Sequence, residues 1–143
     1  MSKKNIGARL LSTTLTLLVL AAFIGCVAAI PVIIYKKSKE FHTATVQVNA
    51  APADVYNTAV KLIKDKPDIE IEKQNDEDMK VEINKGEQRG KIMVEAADGG
   101  KTELTVKADA GKEAEEGADK SLALRIVKAI CDELGVQYTV VEE

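Results

Sequence analysis

Positions 10–35 are uncharged throughout, and the lysines at 36, 37 and 39 end the run. A helix of these 26 residues would cross a hydrocarbon layer of about 30 Å at about 1.5 Å per residue. Beyond the run the pattern turns to alternation. In "HTATVQVNA", Ala44, Val46 and Val48 share one face while Thr43, Thr45 and Gln47 share the other, which predicts a half-buried strand. "APADVYNTAVKLIKDKPD" then shifts to helical period. Val55, Ala59, Leu62 and Ile63 form a stripe that Tyr56 and Val60 widen. Pro52 suits the first turn, Asp54 suits its positive end, and Pro67 stops the helix.

Four alternating segments follow. "IEIEKQ" leads to "NDED", "KVEINKGE" to "QRGK", "KIMVEA" to "ADGGK", and "KTELTVKADA" into the polar stretch "GKEAEEGADKS". Charged side chains alternate with β-branched residues or Leu, the pattern of an antiparallel meander wetted on one side. The Gly- and Asp-containing clusters are its turns. A second helix begins near Asp119 or Ser121. Leu122, Ile126, Ile130 and Leu134 repeat along it beside Ala123 and Ala129, and Gly135 suits its C-cap. "VQYTVVEE" ends the chain as a short strand or an extended tail.

Neither helix can bury its stripe alone, so both must cover the apolar face of one sheet. The sequence therefore predicts an α+β fold. Its two layers are an antiparallel sheet of four to five strands, in the order strand, helix, meander, helix, and two covering helices. An N-terminal apolar helix precedes this domain. The expected boundaries are a signal or anchor segment at 1–25, an apolar tether and basic linker at 26–42, and the soluble domain at 43–143.

Charge divides the chain at the same place. The first 40 residues carry six basic side chains and one acidic, whereas residues 41–143 carry 14 basic and 22 acidic. An acidic domain repels phosphate backbones, so nucleic acid is not an expected partner. The basic flanks of the apolar run, with Lys36, Lys37 and Lys39 on its C-terminal side, fit contact with anionic lipid headgroups. The flanking charges are equal in number, three on either side, and so set no orientation.

The leader has the layout of a secretory signal: Lys3, Lys4 and Arg9, then an apolar stretch, then Gly25 before Cys26. "AFIGC" resembles a bacterial lipobox, in which Cys26 would become the acylated N-terminus after cleavage. The whole chain resembles a family of short bacterial lipoproteins of unknown function. "GCVAAIPVIIYKK" and "ATVQVNAAPADVYNTAVKLIKD" carry that resemblance, in the order of cysteine, apolar stretch, Tyr, strand and Tyr-bearing helix. It implies lipidation at Cys26 and a small α+β domain held at a bacterial membrane. The alternative is an uncleaved helix spanning residues 10–35. Either anchor places the domain outside the cytoplasm, in the periplasm, with membrane lipid as a partner through the N-terminal segment.

Little in the domain points to catalysis. "NDED" lacks the alternate oxygens, sharp-turn glycine and distant Glu of a calcium loop and reads as a hairpin turn. "DGGKTE" falls far short of a phosphate loop. His42 is the single histidine and is assigned to the tether, which leaves the Ser, Thr and Cys side chains without an imidazole. The two cysteines, Cys26 and Cys131, suit no internal disulfide, and Cys131 reads as a small core residue. Tyr56 and Tyr138 read as packing residues with wet hydroxyls. No metal, cofactor or catalytic residue is expected. The function expected is a non-enzymatic envelope module that works by contact with another envelope protein. The alternative is a binder of a lipid or another small apolar ligand, since the plan distantly resembles helix-grip domains.

Overall fold

The computed structural model describes residues 30–37, 41–112, 114–115 and 117–142. The expected N-terminal apolar helix, Cys26 and Lys39 lie outside these residues. The strands are β1 (Val32–Lys37), β2 (His42–Val48), β3 (Glu70–Asn75), β4 (Lys80–Lys85), β5 (Gln88–Ala96), β6 (Thr102–Asp109) and β7 (Thr139–Glu142). Helix α1 (Pro52–Lys64) follows β2, and helix α2 (Ala118–Leu134) follows β6.

One seven-stranded sheet runs in the order β3-β4-β5-β6-β2-β1-β7. Its first six strands are antiparallel neighbours, and β7 lies parallel to β1. Both helices cover one face: α1 packs on β5 and β6, α2 packs on β6, β2 and β1, and the helices touch each other. Side-chain alternation supplies the apolar surface they need. In register, Ile33, Val46, Leu104 and Val94 form one row beneath the helices, and all four are buried. Tyr35, Ala44, Val106, Ile92 and Val81 form the next.

Local chemistry sets the ends of the helices. Pro52 occupies the first turn of α1. Gly135 ends α2 at φ 68°, a left-handed cap whose neighbour Val136 donates its N–H to the Cys131 carbonyl. The buried stripe of α2 is Ala123, Val127, Ile130 and Cys131, one residue round from the expected stripe; Leu122, Ile126 and Leu134 flank it, half-buried.

The structure corrects the expected plan in three places. The sheet has seven strands where four to five were expected. The additions come from the two ends: β1 from the supposed tether, and β7 from the segment read as a short strand or an extended tail, which is a strand. The domain accordingly starts at Val32, and the final residues of the 10–35 span are strand. In the meander, the turn between the second and third segments falls at residues 86–87, where Gly86 takes φ +61°, and "QRGK" belongs to β5. Gly90 faces inward there. A Cβ on it would lie 3.1 Å from Cγ1 of Ile83, so the missing side chain lets the adjacent strand and Ile126 of α2 close over β5.

Period-two burial in β1 yields a direct test. Ile33 is fully buried and Ile34 is 40% exposed. In urea unfolding of the detergent-solubilised chain, Ile33→Ala is expected to cost ~2–5 kcal/mol. Ile34→Ala is expected to stay within ~0.5 kcal/mol. Equal small effects at both positions would mean that β1 is not part of the folded sheet.

Candidate functional site

The residues expected to meet a membrane separate as follows. Cys26 and Lys39 lie outside the described residues. Lys36 and Lys37 are the last residues of β1, in register with Thr43 and His42. Just before them the outer face of the sheet, away from the helices, carries an apolar strip. Among the described residues the exposed large hydrophobic side chains are Ile30, Val32 and Ile34. With Thr45, Gln47 and Lys101 they line an open cavity of about 340 Å³. Away from this strip and the half-buried Met93, the face carries polar pairs. Thr45 and Thr105 hydroxyls meet at 3.2 Å, Gln47 donates to Glu103, Lys91 pairs with Glu82, and Arg89 pairs with Asp109.

The inner face behaves differently. Clefts of about 80 Å³ and about 60 Å³ remain between the helices and the sheet, sharing Ile69, Ile83 and Ile126. Binding sites for drug-sized ligands are usually about 300–1,000 Å³.

Sequence reasoning missed a polar cluster at the junction of β1, β2 and α2. His42 opens β2 on the inner face. Its Nδ1 is hydrogen-bonded to the Tyr35 hydroxyl, the two rings stack at 5.6 Å, and its Nε2 faces the Asp119 carboxylate at 3.6 Å. This geometry suits a Tyr35 O–H donating to Nδ1 and the proton on Nε2. The other Asp119 oxygen accepts the Ala110 N–H, and the Lys120 ammonium lies 5.0 Å from the centre of the Tyr35 ring. The order tyrosine, imidazole, carboxylate is one through which a proton can pass. None of the three cavities, however, is lined by these residues, and Tyr35 is buried. Its contacts form a clamp that ties the start of α2 and the end of β1 to β2. The alternation of "HTATVQV" begins at His42 and was the available signal; its partners, Tyr35 seven residues upstream and Asp119 77 residues downstream, were not.

Two further groups are set by burial. Tyr56 is buried and donates to Asp76 at 2.7 Å, so its hydroxyl pins the β3–β4 turn to α1. Burial first, and the Asp76 carboxylate second, push its phenol up to about 12. Asp76 in turn is held low by hydrogen bonds from Gln74 and then Tyr56. Cys131 is fully buried, and burial pushes its thiol up to about 11. Among the described residues no three His, Cys, Asp or Glu side chains converge as metal ligands, and no helix is long and apolar enough to cross a membrane. No family model matches the chain, and no curated protein matches it in sequence.

Two outcomes are expected from this geometry. Asp119→Ala strands the Ala110 N–H and the imidazole, and should lower unfolding stability by ~1–3 kcal/mol. Asp119→Asn keeps an acceptor and should recover most of it. The second concerns alkaline pH. A Tyr56 phenol raised from 10.0 to about 12 holds its proton more tightly in the folded than in the unfolded chain. Its contribution is complete below pH 10 and lost as pH rises toward 12. Urea midpoints followed across that window should fall, and fall less in Tyr56→Phe.

Proposed function

We propose that the protein is a non-catalytic module of the bacterial cell envelope, a lipoprotein acylated at Cys26 whose domain lies in the periplasm and works by contact with another envelope protein. The observation that carries this reading is the leader. A basic start, an apolar run and Gly25–Cys26 stand only a few residues ahead of a folded strand. An anchor so close to the sheet holds the domain at the bilayer surface. Lys36 and Lys37 lie close enough in sequence to that anchor to favour anionic headgroups.

Contact is favoured over ligand binding by the small clefts beneath the helices. A helix-grip binder of lipid-sized molecules would need several times that space. The sheet edges differ in a way that suits a protein partner. Strand β3 is exposed, charged and interrupted by a register shift between Ile71 and Lys73, features that discourage pairing. Strand β7, among the described residues, pairs with β1 alone, and its outer edge is the one open to an added strand.

Intact mass of the membrane-extracted protein tests the anchor. Loss of residues 1–25 together with added acyl mass is expected, and Cys26→Ala should abolish both. An unprocessed chain would overturn the lipoprotein and leave the spanning helix. Thiol counting gives an independent check. Acylated protein should show no reactive thiol when folded and one, Cys131, in denaturant; two in denaturant would mean that Cys26 is free.

A further inference from the structure

We infer that the apolar strip on the outer face of β1 rests on the lipid surface, so that the domain lies against the bilayer through the face opposite its helices. This rests on the anchored reading above and adds an orientation to it. Three observations converge. First, Ile30, Val32 and Ile34 are the exposed large hydrophobic side chains among the described residues, and all lie within five consecutive positions. An isolated exposed apolar residue needs no explanation, whereas a contiguous strip marks an interaction surface.

Second, the strip sits where the chain leaves the anchor. Three residues separate Ile30 from Cys26, and the four steps between them reach at most about 14 Å when extended. The headgroup layer is itself about 5–7 Å thick on each side. Under the spanning alternative the apolar run continues directly into Ile30. Either anchor brings these side chains to the headgroup–acyl boundary. Third, the strip cannot turn away on a flexible linker. Val32–Lys37 is held in the sheet by β2 on one side and β7 on the other, and Ile33 and Tyr35, alternating with the strip, are buried beneath the helices. The backbone thus fixes which face of the sheet meets the lipid. The same cavity is lined by Lys101, a cation suited to a phosphate headgroup, beside the neutral Thr45 and Gln47, and by Glu103, whose carboxylate accepts from Gln47.

The native chain has no tryptophan, so a single introduced indole reports on its own surroundings. The full anchored chain carrying Ile34→Trp is reconstituted in vesicles of phosphatidylethanolamine and phosphatidylglycerol with acyl chains brominated near the headgroup. Asn57→Trp, on the exposed side of α1, is the control. The expected result is strong quenching and a blue shift for Trp at position 34, with neither at position 57. Vesicle-bound protein whose position-34 emission is unquenched and red would overturn the lipid contact while leaving the anchor standing. A blue-shifted but unquenched emission would mean that protein covers the strip, and also overturns it. Protein that fails to float with the vesicles would overturn the anchored reading and this inference together.

Discussion

Strand β1 is hydrogen-bonded along both edges, antiparallel to β2 and parallel to β7, and much of the architecture follows from that placement. Without it the inner row would end at Val46 and the stacked Tyr35–His42 pair would not form. Strand β7 would then have no sheet to join. Helix α2 connects β6 to β7 across the inner face, past β2 and β1. Its landing site is therefore supplied by residues at the opposite end of the sequence. Such pairing has a high loop-closure cost, which the burial of Ile33 and Tyr35 helps to offset. The segment that closes the apolar run of the sequence is thus part of the core.

The sequence made the middle of the fold legible because its elements follow single, unmixed periods. Strands β2 and β6 alternate small aliphatic with polar residues, α1 carries a clear stripe bounded by two prolines, and Gly135 supplies a left-handed cap. The ends were obscured for opposite reasons. In "VIIYKK" the residues facing out are as apolar as those facing in, so alternation is invisible and the strand merges with the run before it. Strand β7 spans four residues, too few for a period to emerge. Gly90 misled for a third reason: a glycine inside a strand signals a close approach as well as a turn. In this fold the approach is that of Ile83 and α2.

The clamp of Tyr35, His42 and Asp119 was illegible in one dimension. Each residue has a commonplace local role: a strand aromatic, a strand terminus and an acid in the first turn of a helix. Only the antiparallel pairing of β2 with both β1 and β6 places them together. No side chain caps this end of α2. The residue before the helix is Gly117, with φ 86° and no side chain to offer, and the first-turn acid turns aside to Ala110 and His42 instead. Tertiary attachment takes the place of capping in this side chain, so the helix start and the β1–β2 junction are coupled.

The contrast between the two faces of the sheet bears on how such a module works. On the outer face, cross-strand pairs such as Lys91–Glu82 and Arg89–Asp109 satisfy one another. Exposed pairs of this kind contribute little stability, typically ~0–1 kcal/mol, so they keep the face soluble without specifying a partner. The 22 acidic side chains of residues 41–143 oppose close approach to anionic lipid over most of the surface. Under the anchoring proposed above, the stretch from Ile30 to Ile34 is where that opposition would be weakest and apolar gain greatest, and it is also the point at which the anchor would pull. Attraction and tether coincide there. A body held in that way would present its helix layer and the charged β3 edge outward, while the apolar strip would be shielded from water and from chance association with other proteins.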